Sequence, residues 1–251
     1  MAYIQSRKKM SVISQIRRRI QSTGEIIPNV YQLTIRGANV ILIVEEELTL
    51  IDTGLHGSSP QIIDFIHHLG RSPEEIGLII LTHNHIDHMG GLAELKQLTS
   101  AKVAIHKADI GERKNLPSTG SRYRVPINQL SSTLRSVFSV KLEDVDIQLE
   151  GGEVLNPLGG LEVIHTPGHT PGSISLFSQQ NKLLIAGDTL RKRRKTLHLP
   201  PKMASSDLTQ AVESVKRMVQ LDFDILCLGH GLPLSDGVHA KMQDLIERNK
   251  D

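Results

Sequence analysis

The chain has 251 residues, of which 39% are hydrophobic, 22% are charged and only 3% are aromatic. This composition is typical of a globular protein with an aliphatic core, and the length suffices for one α/β domain. A single cysteine excludes a disulfide framework and a cysteine-rich zinc module. The formal net charge of +2 is too small to indicate a nucleic-acid partner by itself.

The N-terminal segment, residues 1–22, carries six Lys and Arg side chains and is expected to be a flexible, basic extension. It lacks the apolar stretch and the small-residue cleavage site of a secretory signal. No apolar run elsewhere approaches the ~20 residues of a membrane-spanning helix. We therefore expect a cytoplasmic protein without a membrane span, whose single domain covers residues 23–251.

The first half of the domain alternates apolar, β-branched runs with amphipathic stretches. Strands are predicted at 31–36, 40–44, 48–51, 76–81 and 102–106. One helix is predicted to begin near Ser59 and Pro60, and a second to cover 90–98. Residues 107–148 contain two prolines in a polar stretch and are predicted to form a lid-like insertion.

The second half repeats part of this pattern. Strands are predicted at 161–164, 173–177, 183–186 and 224–228, and helices at 206–219 and 238–248. Segments 41–53 and 174–189 both contain a strand, a polar turn, a second strand and an Asp-Thr pair. Two related halves, each a sheet with helices outside, predict an α/β fold of the four-layer αβ/βα sandwich type.

A histidine-rich segment, Thr-His-Asn-His-Ile-Asp-His at 82–88, directly follows a predicted buried strand. In an extended chain His83 and His85 project to one side, so both can bind one metal ion. Asp87 and His88 are adjacent, and they need a turn to converge on a second ion. Imidazole and carboxylate are ligands that suit zinc and neighbouring transition metals. The segment therefore predicts a metal site.

Three further candidate ligands follow predicted strands in the second half. His169 lies in the segment Thr-Pro-Gly-His-Thr-Pro-Gly at 166–172, whereas Asp188 and His230 follow strands 183–186 and 224–228. Ligand sites in α/β sheets form at strand ends. Together with 82–88, these residues complete two sets of metal ligands.

From about Leu33 to His230 the sequence resembles the metallo-β-lactamase superfamily in all five of its motif regions. The resemblance implies two metal ions, with ligands His83, His85 and His169 for the first, Asp87, His88 and His230 for the second, and Asp188 bridging both. Asp52, in Ile-Asp-Thr-Gly at 51–54, matches the motif aspartate that supports the site by orienting a ligand histidine.

Departures from individual branches narrow this resemblance. True metallo-β-lactamases usually carry Cys or Ser where this chain has Asp188, and the flavin-linked diiron branch carries Glu where His85 stands. The β-CASP nucleases need a large inserted domain, which has no counterpart in this sequence. The generic branch of esterases, lactonases and glyoxalase II-like thioesterases remains. Lactonases often carry a tyrosine a few residues after the bridging aspartate. The residues after Asp188 include no tyrosine, and Tyr123 of the predicted insertion is the candidate for that role.

The sequence therefore predicts a binuclear metal-dependent hydrolase that cleaves an ester-type bond in a small anionic substrate by a metal-bridging hydroxide. The bond is a carboxylic ester, a thioester or a lactone, and the expected metal is Zn²⁺, with Fe or Mn as alternatives. Asp87 and Asp188 are the candidate catalytic residues for proton handling. The alternative functions are a phosphodiesterase on the same site and an iron-dependent sulfur (persulfide) dioxygenase.

A basic run at 191–195, Arg-Lys-Arg-Arg-Lys, follows Asp188 closely. It could attract an anionic substrate, or it could be a solvated surface. The candidate substrate-binding residues are Arg191, Arg193, Arg194, Tyr123 and His165. We expect a small-molecule substrate and no nucleic-acid partner, and a homodimer stays open.

Overall fold

Two β-sheets pack face to face in the computed structural model, which describes residues 22–111 and 140–250. The first sheet has seven strands that lie in chain order. These strands are β1 (Ser22–Ile27), β2 (Val30–Ile35), β3 (Ala38–Val44), β4 (Leu48–Ile51), β5 (Ile76–Ile80), β6 (Lys102–His106) and β7 (Ile147–Leu149).

The second sheet has five strands, and a separate two-stranded hairpin follows its fourth strand along the chain. The strands in this part of the chain are β8 (Val154–Leu155), β9 (Leu161–His165), β10 (Ile174–Ser178), β11 (Leu183–Ile185), β12 (Arg191–Arg193), β13 (Thr196–His198) and β14 (Ile225–Cys227). The sheet order is β14-β11-β10-β9-β8, and β12 pairs with β13.

Helices cover the outer faces of both sheets. They are α1 (Ser59–His68), α2 (Ile86–Met89), α3 (Leu92–Leu98), α4 (Leu208–Met218) and α5 (Val238–Glu247). Across the described ranges, every helix is too short or too polar to cross a bilayer.

Within residues 22–111 and 140–250, three apolar clusters form the core, and their positions define the layers. The cluster between the sheets contains Ile41 and Ile80 from the first sheet and Leu176 from the second. A second cluster includes Ile66 of α1 on the outer face of the first sheet, and a third includes Val215 of α4 on the outer face of the second. The order helix, sheet, sheet, helix confirms the predicted αβ/βα sandwich.

The internal similarity in the sequence corresponds to a repeated strand arrangement. In the first sheet, β3 pairs antiparallel with β4, which pairs parallel with β5. In the second sheet, β10 pairs antiparallel with β11, which pairs parallel with β14. The equivalent strand ends carry Asp52 and His83 in one half and Asp188 and His230 in the other.

The helix predicted over 90–98 corresponds to α3 alone, and a turn at Gly90 and Gly91 separates it from the short helix α2, which was not predicted. A Cβ atom on Gly90 would lie 2.5 Å from the His56 nitrogen, and one on Gly91 would lie 2.5 Å from the Thr53 carbonyl oxygen. The close approach of residues 53–56 thus separates α2 from α3. Strands β1, β7 and β8 and the β12–β13 hairpin were not predicted. The sequence of β1 is largely polar, and the other four strands have only two or three residues each.

Both described ends of the predicted insertion at 107–148 belong to the body of the fold. Lys107–Asp109 forms a 3₁₀ turn directly after β6, and β7 pairs parallel with β6. Residues 112–139, which include Tyr123, lie outside the described residues, as do residues 1–21 and 251.

Candidate metal centre

The segment 82–88 leaves the buried end of β5 and passes directly into helix α2. His85 has an extended backbone, with φ −77° and ψ 146°, and immediately precedes the helix that begins at Ile86. The helix supplies the turn that Asp87 and His88 need. The His88 Nε2 atom lies 3.9 Å from the Asp87 Oδ2 atom.

Seven side chains converge where the ends of β5, β9, β11 and β14 meet. They form three overlapping groups in which one donor atom from each side chain lies within 4.8 Å of the others. The His169 group is His83, His85 and His169; the His230 group is Asp87, His88 and His230; a third group joins His83 and His88 to Asp188.

Asp188 lies at the centre of this arrangement, in a 3₁₀ turn after β11. Its Oδ2 atom lies 3.2 Å from the His230 Nε2 atom and 3.5 Å from the His169 Nε2 atom. Its Oδ1 atom lies 3.5 Å from the His88 Nε2 atom. The carboxylate therefore reaches imidazoles of both the His169 group and the His230 group.

Gly229 makes this close packing possible. A Cβ atom at that position would overlap the Asp188 carboxylate and lie 2.8 Å from the His88 Cε1 atom. Any larger residue before His230 would push the side chains of Asp188 and His88 apart.

Asp52 supports the cluster from the first sheet. It adopts a left-handed backbone with φ +61°, a conformation that Asp tolerates better than most residues. Its carboxylate accepts hydrogen bonds from the Thr82 amide at 2.8 Å and from the His88 Nδ1 atom at 2.7 Å. The Thr82 hydroxyl also donates to Asp52 at 2.8 Å and lies 3.0 Å from the His83 Nδ1 atom. Asp52 thus holds the imidazole of His88 directly and that of His83 through Thr82.

His230 is oriented by backbone and by a buried amide. Its Nδ1 atom donates to the Gly37 carbonyl oxygen at 2.8 Å, so its Nε2 atom is left for the carboxylates of the cluster. The Asn39 side chain donates to the carbonyl oxygens of Leu228 and Gly231, each at 2.7 Å. Sequence reasoning missed Asn39, although a polar residue inside an otherwise apolar strand was a signal.

Asp109 is a second buried residue that sequence reasoning missed. Its carboxylate accepts hydrogen bonds from the Asn84 amide, the Thr170 hydroxyl and the Gly172 amide. Asn84 lies between two candidate ligands, and Thr170 follows a third. The residue was hidden in a stretch predicted to be an insertion.

The charges of the cluster shift its pKa values strongly. Burial lowers the pKa of His88, but the carboxylates of Asp188, Asp52 and Asp87 outweigh burial and raise that pKa to about 10. Burial likewise lowers the pKa of His230, and Asp188 raises it to about 9. Burial raises the pKa of Asp188, but the imidazoles of His88, His230 and His169 hold it well below its ordinary value.

The donor set fits a divalent metal ion. Five imidazoles and two carboxylates are ligands that zinc and similar transition metals prefer. The Nδ1 atoms of His88 and His230 are bound to Asp52 and to Gly37, which leaves their Nε2 atoms for coordination. Fixing one ring nitrogen by a carboxylate or a carbonyl is the usual way proteins orient metal-binding histidines.

Two of the predicted substrate-binding residues, Arg191 and His165, have hydrogen-bond partners on the backbone. Arg191 donates from its Nε atom to the Leu199 carbonyl oxygen at 3.1 Å, which braces the β12–β13 hairpin. Arg193 and Arg194 are exposed on that hairpin, with Arg194 in its turn at φ +56°. The His165 Nε2 atom donates to the Pro171 carbonyl oxygen at 2.9 Å. Tyr123 lies outside the described residues.

Comparisons with known proteins agree with this geometry. The family model of the metallo-β-lactamase superfamily matches residues 33–230. The chain is 29% identical to "Probable metallo-hydrolase YflN" of Bacillus subtilis (strain 168) over 230 residues, which cover 84% of this chain and 87% of YflN. It is 30% identical to "Hydroxyacylglutathione hydrolase GloC" of Haemophilus influenzae (strain ATCC 51907 / DSM 11121 / KW20 / Rd) over 170 residues, which cover 66% of this chain and 71% of GloC.

A solved structure has the same fold. The metallo-β-lactamase family protein TTHA1429 from Thermus thermophilus superposes with a TM-score of 0.68 at 23% identity, covering 90% of this chain and 81% of that chain. At this level of identity the likeness concerns the fold alone.

Proposed function

Because the chain belongs to the metallo-β-lactamase superfamily, we propose that it is a metallohydrolase that binds two divalent metal ions and cleaves an ester-type bond. The observation that carries the proposal is the overlap of the ligand groups. The His169 group and the His230 group lie side by side, and Asp188 reaches imidazoles of both.

In this proposal the His169 group binds one ion, the His230 group binds the other, and Asp188 contacts both. Zn²⁺ is the proposed metal, because imidazole and carboxylate ligands without a thiolate suit it well, with Fe and Mn as alternatives. When bound, two such ions lower the pKa of a water molecule and polarise the oxygen of the scissile bond.

The two carboxylates differ in what they can do for the reaction. The Asp188 side chain is 16% exposed and faces the Nε2 atoms of His88, His169 and His230. The Asp87 side chain is 33% exposed, and its Oδ2 atom lies 3.5 Å from the His230 Nε2 atom. We assign proton transfer to the more accessible Asp87 carboxylate and metal binding to Asp188.

Among ester-type bonds, a thioester is the first candidate. The support is the name of the relative GloC, which is a hydroxyacylglutathione hydrolase. The exposed basic residues of the β12–β13 hairpin follow Asp188 closely, and their charge favours a substrate with an anionic group.

A hydrolysis panel on zinc-loaded protein tests the proposal. We expect turnover of acylated glutathione thioesters, with weaker turnover of lactones and carboxylic esters. Turnover of aryl phosphodiesters alone would favour the phosphodiesterase alternative. Oxygen uptake with glutathione persulfide by iron-loaded protein, without hydrolysis of any ester, would contradict the proposal in favour of a dioxygenase.

A further inference from the structure

Asp109 is a buried carboxylate outside the proposed ligand set, and its side chain touches both loops that carry the His169 group. The residue is 1% exposed and ends the 3₁₀ turn after β6. It therefore lies on the first sheet, while His169 follows β9 of the second sheet.

Asp109 accepts hydrogen bonds from both of these loops. On the first sheet, its Oδ2 atom accepts from the Asn84 amide at 3.0 Å, and its carbonyl oxygen accepts from the Asn84 side chain at 2.9 Å. On the second sheet, the Thr170 hydroxyl donates to Oδ2 at 2.6 Å, and the Gly172 amide donates to Oδ1 at 2.8 Å. Asn84 separates His83 from His85, and Thr170 directly follows His169.

The contact is closely packed, and neighbouring residues support it. A Cβ atom on Gly172 would lie 2.7 Å from the Asp109 Cγ atom, so only glycine leaves room for the carboxylate. His106 accepts from the Ala108 amide at 3.2 Å and so caps the turn that carries Asp109. The His106 ring also stacks on the ring of His165 on β9, with centroids 4.0 Å apart and planes at 12°.

We propose that Asp109 is a positioning residue that sets the distance between the His83–His85 pair and His169. Hydrogen bonds to a charged acceptor are stronger than those between neutral groups. A metal site needs its ligands held within about 0.5 Å of their working positions. By joining the two sheets next to all three imidazoles, Asp109 determines how tightly the His169 group binds its metal ion. This inference rests on the metal site of the proposed function but not on the substrate.

The test is a titration of metal-free protein with Zn²⁺ against a chromophoric chelator. Because two ions are proposed, Zn²⁺ should bind in two phases. The variants His169→Ala and His230→Ala identify which phase belongs to the His169 group and which to the His230 group. His169→Ala should abolish one phase. We expect Asp109→Ala and Asp109→Asn to lower the Zn²⁺ affinity of that same phase by about 10–100-fold, the usual effect of losing an outer partner of a metal ligand. We expect a smaller loss of affinity in the same phase from Thr170→Val, which removes one of the donors named above. This variant keeps the inference testable if Asp109→Ala does not fold.

Asp146→Asn is the matched control, since its carboxylate accepts from the Val103 amide at 2.9 Å near the opposite end of β6. It should leave both phases unchanged. The inference is overturned if the Asp109 and Thr170 variants lower only the melting temperature of the metal-free protein, or weaken both phases equally. Absence of ester hydrolysis by the wild type contradicts the proposed function alone, because the titration does not depend on turnover.

Discussion

Asp52 and Asp109 support the same cluster in different ways. The partners of Asp52, Thr82 and His88, belong to the loop and helix that follow β5 of the first sheet. The partners of Asp109 lie on both sheets. Asp52 therefore supports the His230 group from within one sheet, whereas Asp109 supports the His169 group across both sheets. We expect the support by Asp109 to be the more sensitive of the two to changes in how the sheets pack.

The largest effect is expected from removing the carboxylate that both groups share. Asp188→Ala should weaken both phases of metal binding and lower kcat/KM by at least ~10³-fold, since metal catalysis contributes several kcal/mol to the transition state. Steady-state kinetics and metal analysis, with circular dichroism to verify folding, measure this. Retained turnover at normal metal content would remove Asp188 from the proposed site.

Asp52→Asn tests the support that Asp52 gives to His88. It should lower, by about 10–100-fold, the Zn²⁺ affinity of the phase that His230→Ala abolishes. Asparagine tolerates the left-handed backbone of residue 52, so the variant isolates the lost acceptor of His88. A smaller effect on the other phase is expected through Thr82 and His83. A loss confined to the His169 phase would show that the two supports are not divided as described.

The pH dependence of metal binding tests the His230 group separately from the His169 group. In the metal-free protein the raised pKa values, about 10 for His88 and about 9 for His230, keep both imidazoles protonated at neutral pH. A metal ion must displace these protons, so the affinity of this phase should rise with pH. Between pH 6.5 and about 9, we expect the metal affinity to rise up to tenfold per pH unit for each displaced proton. Calorimetry in buffers of different ionisation enthalpy counts the protons, and a phase that releases none would contradict these shifts.

The smallest effect is expected from the exposed hairpin. Changing Arg193 and Arg194 to Gln should raise KM for an anionic substrate a few-fold and flatten its dependence on salt, because exposed charges act through a screened field. The matched control is a neutral substrate, whose KM should not change. Equal KM values for wild type and variant with the anionic substrate would identify the basic run as a solvated surface.

The candidate ligands that the structure brings together are those that the sequence encodes locally. The segment 82–88 was recognisable because its ligands are close in sequence, and Asp188 and His230 because each follows a strand. The sandwich followed from two similar strand patterns. Asp109 and Asn39 were missed because their roles come from contacts between residues far apart in the chain. Arg191 and His165 stay predicted substrate-binding residues, and the backbone carbonyl oxygens that their side chains contact could not be foreseen from the sequence.

The central claim is that two metal ions lie between these seven side chains. Anomalous diffraction at the zinc edge from crystals of zinc-loaded protein tests it most directly. The account predicts two peaks, one within about 2.0–2.3 Å of ligand atoms of the His169 group and one at the same range from the His230 group, with Asp188 near both. A single peak, or peaks away from these residues, would contradict it.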